Sequence, residues 1–547
     1  MKKILLSLTC VLLVFSLTAC NQKKQGQNKT ASANTKTSKP VQELTFNLSG
    51  EPKSIDPQLV IGIPGGIVTN NTFEGLTRKG KNGKIIFAGA TSVDVSADKT
   101  VYTFHLRKDA KWSDGKSVTA SDYRYSWIRG VNPKTGAKHS NQYFYIKGTK
   151  AFFEGKAPKS DIGIKALDDY TLQVTLVAPT PYFLSLTATD IFMPVRKDIV
   201  AKKPDTWATN PKITVSNGPF ILSSYKLNSS IVLKPNPYYW NKANVKLKKI
   251  TFVMIVNDET ALVAYDNNEV NIITELPLQE IAKRKIEDPT YHVFPKVGTY
   301  YFDLNMQKPP LNNINVRKAL TLSINKKLLV EKVAKGGQTI ATGFVPVGPN
   351  DSTGKSFRKT AGSYGIPIQG NIKEAQEDLA KAGYPGGKGF PVLQLLYNTN
   401  KGHKAIAEAI QAMWKTNLGI NITLKNQEWA VFLNTRIHHN FQITRDGWIG
   451  DYNDPMTMLD LFTSFSPYNY FQWNNPTYDA LIHKAKTTQG VTRDKAMYDA
   501  EKLLEAQYIV LPIYYYNQPS LVKANIKGWR CDNFAIWYLG DAYISNK

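Results

Sequence analysis

The chain has 547 residues, of which 42% are hydrophobic and 20% charged. This composition is typical of a globular protein with more than one core and excludes a disordered or fibrous chain. The net charge is +26; seven of these charges lie in residues 1–40, and the remaining chain carries +19. Such a basic body fits nucleic acid, an anionic membrane or wall polymer, or an acidic ligand, and composition alone does not choose among them.

The first twenty residues have the pattern of an export signal. Two lysines precede an apolar stretch, residues 4–19, that is shorter than the roughly 20 residues of a membrane span. The stretch ends in L-T-A-C, which resembles the bacterial lipobox, where the cysteine is lipidated after cleavage. We therefore predict a signal peptide at residues 1–19 and a lipid anchor on Cys20; the alternative is a plain signal peptide with an incidental cysteine. Export argues against nucleic acid as the partner.

Residues 20–40 predict a flexible tether. After Cys20 the segment contains no large apolar residue, so it cannot bury enough surface to offset its chain entropy. Beyond it, Cys531 is the only cysteine of the predicted folded body, which excludes a disulfide within that body.

From Glu43 onward, strand and helix patterns are interleaved, which predicts an α/β fold. Alternating apolar residues predict half-buried strands, and apolar residues at helical spacing predict amphipathic helices. Asn371 is a plausible helix N-cap, with Gly383 as the stop. One strand–helix–strand unit implies parallel strands joined by a right-handed crossover. The predicted strands are Leu44–Leu48, Val101–Leu106, Ile231–Leu233, Ile250–Ile255, Val392–Tyr397 and Ile420–Leu424, and the predicted helices are Ile372–Ala382, Lys404–Asn417 and Lys495–Gln507.

Enzyme signatures are absent from the sequence. It contains no H-E-x-x-H zinc motif, no G-x-S-x-G nucleophile elbow and no C-x-x-C pair. We therefore predict a protein that is not an enzyme and needs neither a cofactor nor a metal. An exported hydrolase with a nonstandard catalytic site stays open as the alternative from another functional class.

Several motifs, taken in this order, resemble the extracellular solute-binding proteins of family 5, specifically the oligopeptide-binding lipoproteins of peptide ABC transporters. Each motif is weak alone, but together they cover the chain from about Glu43 to its C-terminus. The motifs are E-P-K-S-I-D-P at 51–57, Y-T-F-H-L-R-K-D-A-K-W-S-D-G at 102–115, N-G-P-F at 217–220, P-N-P-Y-Y-W at 235–240, N-V-R-K-A-L at 315–320, N-Q-E-W at 426–429, and R-D-G-W-I-G-D-Y-N-D-P at 445–455.

The resemblance implies a two-lobed, periplasmic-binding-protein-like α/β fold of type II, cluster C. A third domain is added to one lobe, and the ligand cleft lies between the lobes. Its implied divisions are signal peptide 1–19, lipidated tether 20–40, lobe 1 in the segments 41–73, 205–297 and 519–547, the additional domain 74–204, and lobe 2 at 298–518.

The resemblance also implies the function. The protein is expected to capture short peptides outside a bacterial cell, here a Gram-positive one, as a lipid-anchored monomer that delivers them to the permease subunits of an ABC transporter. A receptor for one signalling or cell-wall peptide is the nearest alternative. Because all peptides share a backbone and charged ends, such a site is expected to pair with the backbone as an added strand and to hold side chains in wide hydrated pockets.

Site residues follow from the resemblance, position by position. Asp451 matches the carboxylate that holds the peptide α-ammonium. An acid at this position is chemically reasonable, since a buried cation needs a fixed anion. Arg445 and Arg436 match residues that supply positive charge, and His403 matches a residue near the peptide's carboxyl end. Trp429, Trp448 and Tyr145 match aromatic walls; Gly447 and Ile449 match backbone partners; Tyr301 and Asp303 match a strand that lines the cleft; Ile61 and Ile63 lie in a loop that faces it.

Two departures from the family bear on specificity. Ile61 stands where relatives that accept lysine peptides carry a glutamate, and Asp303 is one methylene shorter than their glutamate. A disulfide that some relatives place at the positions of Gly298 and Ile449 is absent here. With fewer and shorter acids, and a body charge of +19, we expect a weaker preference for basic peptides.

Overall fold

The computed structural model of the chain describes residues 40–80 and 84–546. The predicted signal peptide, the lipidation of Cys20 and nearly all of the tether lie outside these residues. Among the helices that the structure describes, none combines the length and the apolar character that crossing a bilayer requires.

One large mixed sheet organises the described chain. It runs in the order β9-β8-β10-β6-β11-β5-β1-β4-β3-β2, and β7 pairs with β11. Its strands, in chain order, are β1 (Glu43–Asn47), β2 (Phe220–Lys226), β3 (Ser230–Pro235), β4 (Lys249–Val253), β5 (Ile272–Ile273), β6 (Tyr291–Leu304), β7 (Thr339–Ile340), β8 (Leu393–Asn398), β9 (Ile422–Gln427), β10 (Ile443–Ile449) and β11 (Val510–Val522).

Two long antiparallel strands, β6 and β11, connect the segments expected to form the two lobes. At one end β11 pairs with β5, in the segment expected for lobe 1, and at the other end β6 pairs with β10, in the segment expected for lobe 2. Their register shifts between Pro295 and Thr299, opposite Asn517 and Tyr515. This irregularity lies beside the lobe boundaries expected at 297/298 and 518/519.

A smaller antiparallel sheet lies within the segment expected to form the additional domain. Its strands pair in the order Ala90–Val95, Val101–Leu106, Thr171–Thr175, Ile164–Asp168. Alternation along Val101–Leu106 buries Tyr102, Phe104 and Leu106 on one face, as the sequence predicted. The helix Ala120–Val131 contacts this sheet and opens with a capping box between Thr119 and Asp122.

The longer helices contact the strands of the two sheets or one another. Those of nine or more residues are Ile63–Thr72, Ala120–Val131, Asp258–Asp266, Leu278–Glu287, Ile314–Leu322, Ile372–Lys381, Lys401–Leu418, Trp429–Ile437, Pro476–Thr487 and Gly490–Ala506. Asn371 caps its helix by accepting a hydrogen bond from the Glu374 N–H, which confirms the predicted cap.

The predicted strand–helix–strand unit, in the segment expected to form lobe 2, is confirmed. β8 and β9 pair in parallel, and the helix Lys401–Leu418 connects them. Ile406, Ile410 and Trp414 are buried on its inner face, and the Trp414 indole N–H donates to the Leu320 carbonyl at 2.9 Å. Burial of this stripe fixes the helix, and through it His403, against the sheet.

Candidate ligand-binding cleft

Two neighbouring cavities are lined by residues from the segments expected to form the two lobes and the additional domain. The first, about 320 Å³, is lined by residues that include Ile63, Asp190, Ile449 and Asp451. The second, about 260 Å³, is lined by Tyr145, Trp448 and again Asp451. Asp451 therefore contributes to both cavities.

Asp451 presents a carboxylate without a protein counter-charge. Its backbone N–H donates to Thr457 Oγ1 at 2.9 Å, which fixes the loop that follows β10. Among the described residues, no ion pair or hydrogen-bond donor engages its side chain. Burial raises the pKa of Asp451, and the charge of His139 opposes this shift. A desolvated carboxylate that faces a cavity is suited to bind a cation from a ligand.

The strand that leads to Asp451 has an unpaired edge. β8 pairs with β10 only at Ile443 and Thr444, whereas β6 pairs along the whole strand on its other side. Within the described chain, the segment Arg445–Ile449 thus leaves one edge without a neighbouring strand. An exposed edge of this kind can accept an extended chain as an added strand.

Gly447 on this edge is constrained by its own surroundings. Its N–H donates to the Asp446 side chain at 2.6 Å. A methyl group on Gly447 would lie 2.1 Å from the Tyr516 hydroxyl oxygen, so a larger residue would displace that tyrosine. The glycine predicted as a backbone partner is therefore required here by the close approach of Tyr516.

Arg445 carries a buried positive charge without an anion. Its guanidinium donates to the Tyr516 hydroxyl at 2.7 Å and to Asn398 Oδ1 at 3.3 Å, and it lies 4.7 Å from the centre of the Tyr300 ring. No ion pair joins it to a carboxylate in the part of the chain that the structure describes. Because a buried cation without an anion is costly, this position is suited to bind a carboxylate.

His403 lies beside this arginine and is neutral. Its Nδ1 is 3.3 Å from the Tyr300 hydroxyl oxygen, and burial together with the charge of Arg445 lowers its pKa to about 3. It is the third residue of its helix, which begins at Lys401, and its backbone N–H donates to the Asn400 side chain. The helix thus begins three residues before the predicted Lys404, and Asn400 caps it.

The charge of Arg436 is already compensated in this structure. Arg436 forms a buried ion pair with Asp446, to which the Tyr301 hydroxyl also donates at 3.1 Å. Asp446 pairs with Tyr301 across the β6–β10 ladder, whereas Arg445 pairs with Phe302. Since side chains alternate along strands, this cluster lies on the opposite face of the sheet from Arg445. Arg436 is thus a structural ion-pair partner here.

Asp303 is fully buried next to this cluster and lines neither of the two cavities. Burial, followed by the charge of Asp446, raises its pKa well above the ordinary range. A protonated Asp303 can donate a hydrogen bond to Asp446, and this leaves one negative charge for Arg436 to balance.

Asp303→Asn is expected to increase the free energy of unfolding near pH 8. The amide retains a hydrogen-bond donor toward Asp446 without requiring a bound proton. In the wild type, the pKa of Asp303 is higher in the folded state than in the unfolded state, so its contribution to stability is complete only below the pKa of the unfolded state. As pH rises from there toward the pKa of the folded state, the free energy of unfolding falls by up to about 1.4 kcal/mol per pH unit. Thermal unfolding from pH 4 to pH 8 should show this slope in the wild type and in a variant of the exposed Asp205, and a smaller slope in Asp303→Asn. Equal slopes in all three would contradict the assignment.

The remaining predicted residues divide into two groups. Trp448 and Tyr145 line the second cavity, where Trp448 lies 4.8 Å from the Tyr468 ring and Tyr145 contacts the Tyr452 hydroxyl at 3.4 Å. Trp429 and Ile61 line neither of these two cavities; Trp429 is 48% exposed and stacks on Phe432, and Ile61 is half-buried. Tyr301 is also buried away from both cavities.

Sequence reasoning did not identify several residues that line the cavities. Gln142 lines both, His139 and Asp190 line the first, and Tyr452 lines the second while stacking on Tyr182 at 4.6 Å. Gln142 belongs to the same turn region as Tyr145, which was the available signal in the sequence. Asp190 had no such signal, because only the tertiary fold brings it to Asp451.

Comparisons with known proteins show the family to which the chain belongs. Residues 84–470 match the family model described as "Bacterial extracellular solute-binding proteins, family 5 Middle". The chain is 36% identical over 551 residues to the oligopeptide-binding protein OppA of Bacillus subtilis, covering 98% of this chain and 99% of the relative. The structure is similar to Haemophilus influenzae OppA in complex with the peptide RPPGFSPFR, with a TM-score of 0.76, 33% identity and coverage of 92% and 99%. It is also similar to the Escherichia coli murein tripeptide binding protein MppA, with a TM-score of 0.77, 35% identity and coverage of 93% and 99%.

Proposed function

Because the chain belongs to family 5 of the bacterial extracellular solute-binding proteins, we propose that it captures short peptides outside the cell and delivers them to an ABC permease. The observation that carries this proposal is a pair of uncompensated charges, Arg445 on a strand with an unpaired edge and Asp451 in the loop that follows this strand. Six residue steps of extended chain would span at most roughly 20 Å, which suits a ligand with an ammonium at one end and a carboxylate at the other.

The chemistry of each end follows from its surroundings. Asp451 would hold the α-ammonium, and Arg445 with neutral His403 would hold the carboxylate. The edge Arg445–Ile449 would pair with the peptide backbone and provide affinity that does not depend on side chains. Trp448 and Tyr145 form apolar walls in the second cavity. We propose binding without catalysis, which the names of the relatives as binding proteins support.

One experiment distinguishes general peptide capture from the two alternative functions, a receptor for one peptide and an exported hydrolase. The purified protein is denatured, released ligands are identified by mass spectrometry, and the peptides found are titrated back by calorimetry. Free peptides of mixed sequence are expected, with no cleavage products after incubation with the native protein. One recurrent peptide would favour the signalling or cell-wall receptor, for which the murein tripeptide relative is the supporting observation. Cleavage of the added peptides would favour the exported hydrolase.

We further propose that the lobes close on the peptide about the irregularity in β6 and β11 near Pro295 and Asn517. Charges from both sides of the cleft contribute to the first cavity, so a bound peptide stabilises the closed arrangement more than the open one. Small-angle scattering is expected to give a smaller radius of gyration at saturating peptide. An unchanged radius would contradict closure in solution.

The proposed location is the outer face of the membrane of a Gram-positive bacterium, with a lipid on Cys20 anchoring a monomer. Cys20→Ala is expected to release the mature protein from the membrane fraction or to block its processing. Fractionation with immunoblotting and mass spectrometry of the N-terminus measure both outcomes. A variant that stays in the membrane fraction with an unlipidated N-terminus would show that the anchor lies elsewhere.

A further inference from the structure

The first cavity contains a second carboxylate, that of Asp190. It lies in the additional domain, and its Oδ1 accepts hydrogen bonds from Thr69 Oγ1 at 3.1 Å and from the Asn70 side chain. Both donors belong to the helix Ile63–Thr72, so the carboxylate is fixed against a rigid wall of lobe 1. The side chain is therefore positioned before any ligand arrives.

The other carboxylate oxygen of Asp190 is free to interact with a ligand. Its Oδ2 accepts no hydrogen bond from the described residues. Gly66 lies beside it, and a methyl group on Gly66 would come within 3.2 Å of this oxygen. The absence of a side chain at Gly66 thus leaves Oδ2 uncovered.

The charges around the first cavity are not balanced. Lys79 is the only lysine or arginine among its described lining residues, and it forms an ion pair with Asp532 at 3.2 Å. Its ammonium also lies 3.9 Å from the centre of the Phe534 ring. Lys79 is thus already engaged, and after a peptide ammonium pairs with Asp451, Asp190 still has no ion-pair partner.

Burial raises the pKa of Asp190 to about 7, opposed by its hydrogen bond from Thr69 and by the charge of Lys79. The other titratable groups that face it or its neighbours are Asp532, Tyr538, His139 and Asp451. A cation placed beside Asp190 would keep the carboxylate ionised at neutral pH.

We propose that Asp190 is a specificity-determining residue that selects a lysine or arginine side chain near the amino end of the bound peptide. The inference rests on the proposed function. The side chain of the first peptide residue leaves from the carbon that bears the ammonium, so it begins next to Asp451, which shares the first cavity with Asp190. Apolar residues of this cavity, including Val60, Ile63 and Ile536, suit the methylene groups of such a side chain.

This assignment reverses the expectation drawn from Ile61. The acid that is missing from the loop at Ile61 is supplied by a different element, the turn that begins at Asp190. A preference for basic side chains near the amino end then persists although the protein body is strongly basic, because a local contact outweighs a screened long-range potential.

The test compares matched tripeptides on the full mature protein. Alanine tripeptides carry either lysine or norleucine at position one, two or three, so that only the ammonium differs. Calorimetry is performed on the wild type, on Asp190→Asn and on Asp205→Asn as the control for the loss of one negative charge. Asp205 is an exposed acid that lines neither cavity. The asparagine at 190 can still accept hydrogen bonds from Thr69 and Asn70, so the fold is expected to persist.

The wild type and Asp205→Asn are expected to prefer lysine over norleucine by about tenfold at the first or second position, and Asp190→Asn is expected to lose this preference. Equal binding of both peptides by the wild type, or a preference that survives Asp190→Asn, would overturn the inference. In either case, peptides with norleucine would still bind, so the proposed function of peptide capture would not be contradicted. Failure of every peptide to bind would overturn both proposals.

Discussion

Asp451→Ala is expected to weaken peptide binding roughly 30- to several-thousand-fold, because loss of one partner of a buried charge pair costs about 2–5 kcal/mol. The free protein should not lose stability, since no described residue pairs with this carboxylate. Affinity for the wild type should also fall as pH drops through the raised pKa of Asp451, because the protonated acid cannot balance an ammonium.

Acetylation of the peptide amino terminus tests the same pair from the other side. It should weaken binding to the wild type about as much as Asp451→Ala does, and the two changes together should cost less than their sum. Calorimetry on the four combinations gives the coupling energy, with Asp205→Asn as a control at an exposed acid outside both cavities. Equal binding of acetylated and free peptides to the wild type would show that Asp451 does not recognise the amino terminus.

Arg445→Gln is expected to have the second largest effect on affinity, of the same order, if peptides carry a free carboxylate. The glutamine can still hydrogen-bond to Tyr516 but supplies no charge. Amidation of the peptide's carboxyl end should reproduce the loss in the wild type and add little in the variant. A peptide amide that binds the wild type as well as the free acid would contradict the role of Arg445.

The neighbouring arginine provides the matched control. Arg436→Gln removes the cation that compensates Asp446 and Asp303, so it is expected to lower the free energy of unfolding by about 3–5 kcal/mol. Arg445→Gln removes a buried charge that has no anion, so it should leave the free energy of unfolding unchanged or increase it. Denaturant unfolding of the two variants distinguishes a structural arginine from one kept for a ligand.

Local sequence patterns predicted secondary structure well where apolar periodicity was strong. The strand Val101–Leu106 has the bounds that the sequence predicted. The helix predicted at Lys404–Asn417 is slightly longer in the structure, where it spans Lys401–Leu418. The helix predicted from Lys495 instead begins at Gly490, because its first turn is held by polar contacts. There Arg493 pairs with Asp454 at 2.6 Å, and Asp494 accepts hydrogen bonds from Ser352.

The candidate site was predictable only where a motif coincided with one strand. The segment from Arg445 to Asp451 places Arg445, Trp448 and Asp451 along β10 and its following loop, and the structure brings two of these to the cavities. The pairing of Arg436 with Asp446 and the position of Asp190 depend on contacts between distant parts of the chain. The alternation of side chains along a strand predicts which face of the sheet each side chain occupies. It does not predict which residue of another helix or strand will contact that side chain.

The two ends of the described chain meet in the segments expected to form lobe 1. The Gln42 side chain donates to the Ile544 carbonyl at 2.8 Å and accepts from the Ile544 N–H at 3.0 Å. Asn71 likewise donates to the Trp537 carbonyl at 2.7 Å and accepts from the Leu539 N–H at 2.8 Å. Early strands and helices of this lobe therefore depend on partners from the last residues of the chain.

This arrangement sets the order of events during secretion. A polypeptide that crosses the membrane with its N-terminus first exposes β1 and the helix Ile63–Thr72 long before Trp537 and Ile544 emerge. We expect β1 and this helix to complete their native contacts only after Trp537 and Ile544 have emerged, whereas β8, β9 and β10, which are close in sequence and pair with one another, can assemble earlier. The segment synthesised first is thus among the last to reach its native state, and its apolar strands need protection from aggregation in the interval.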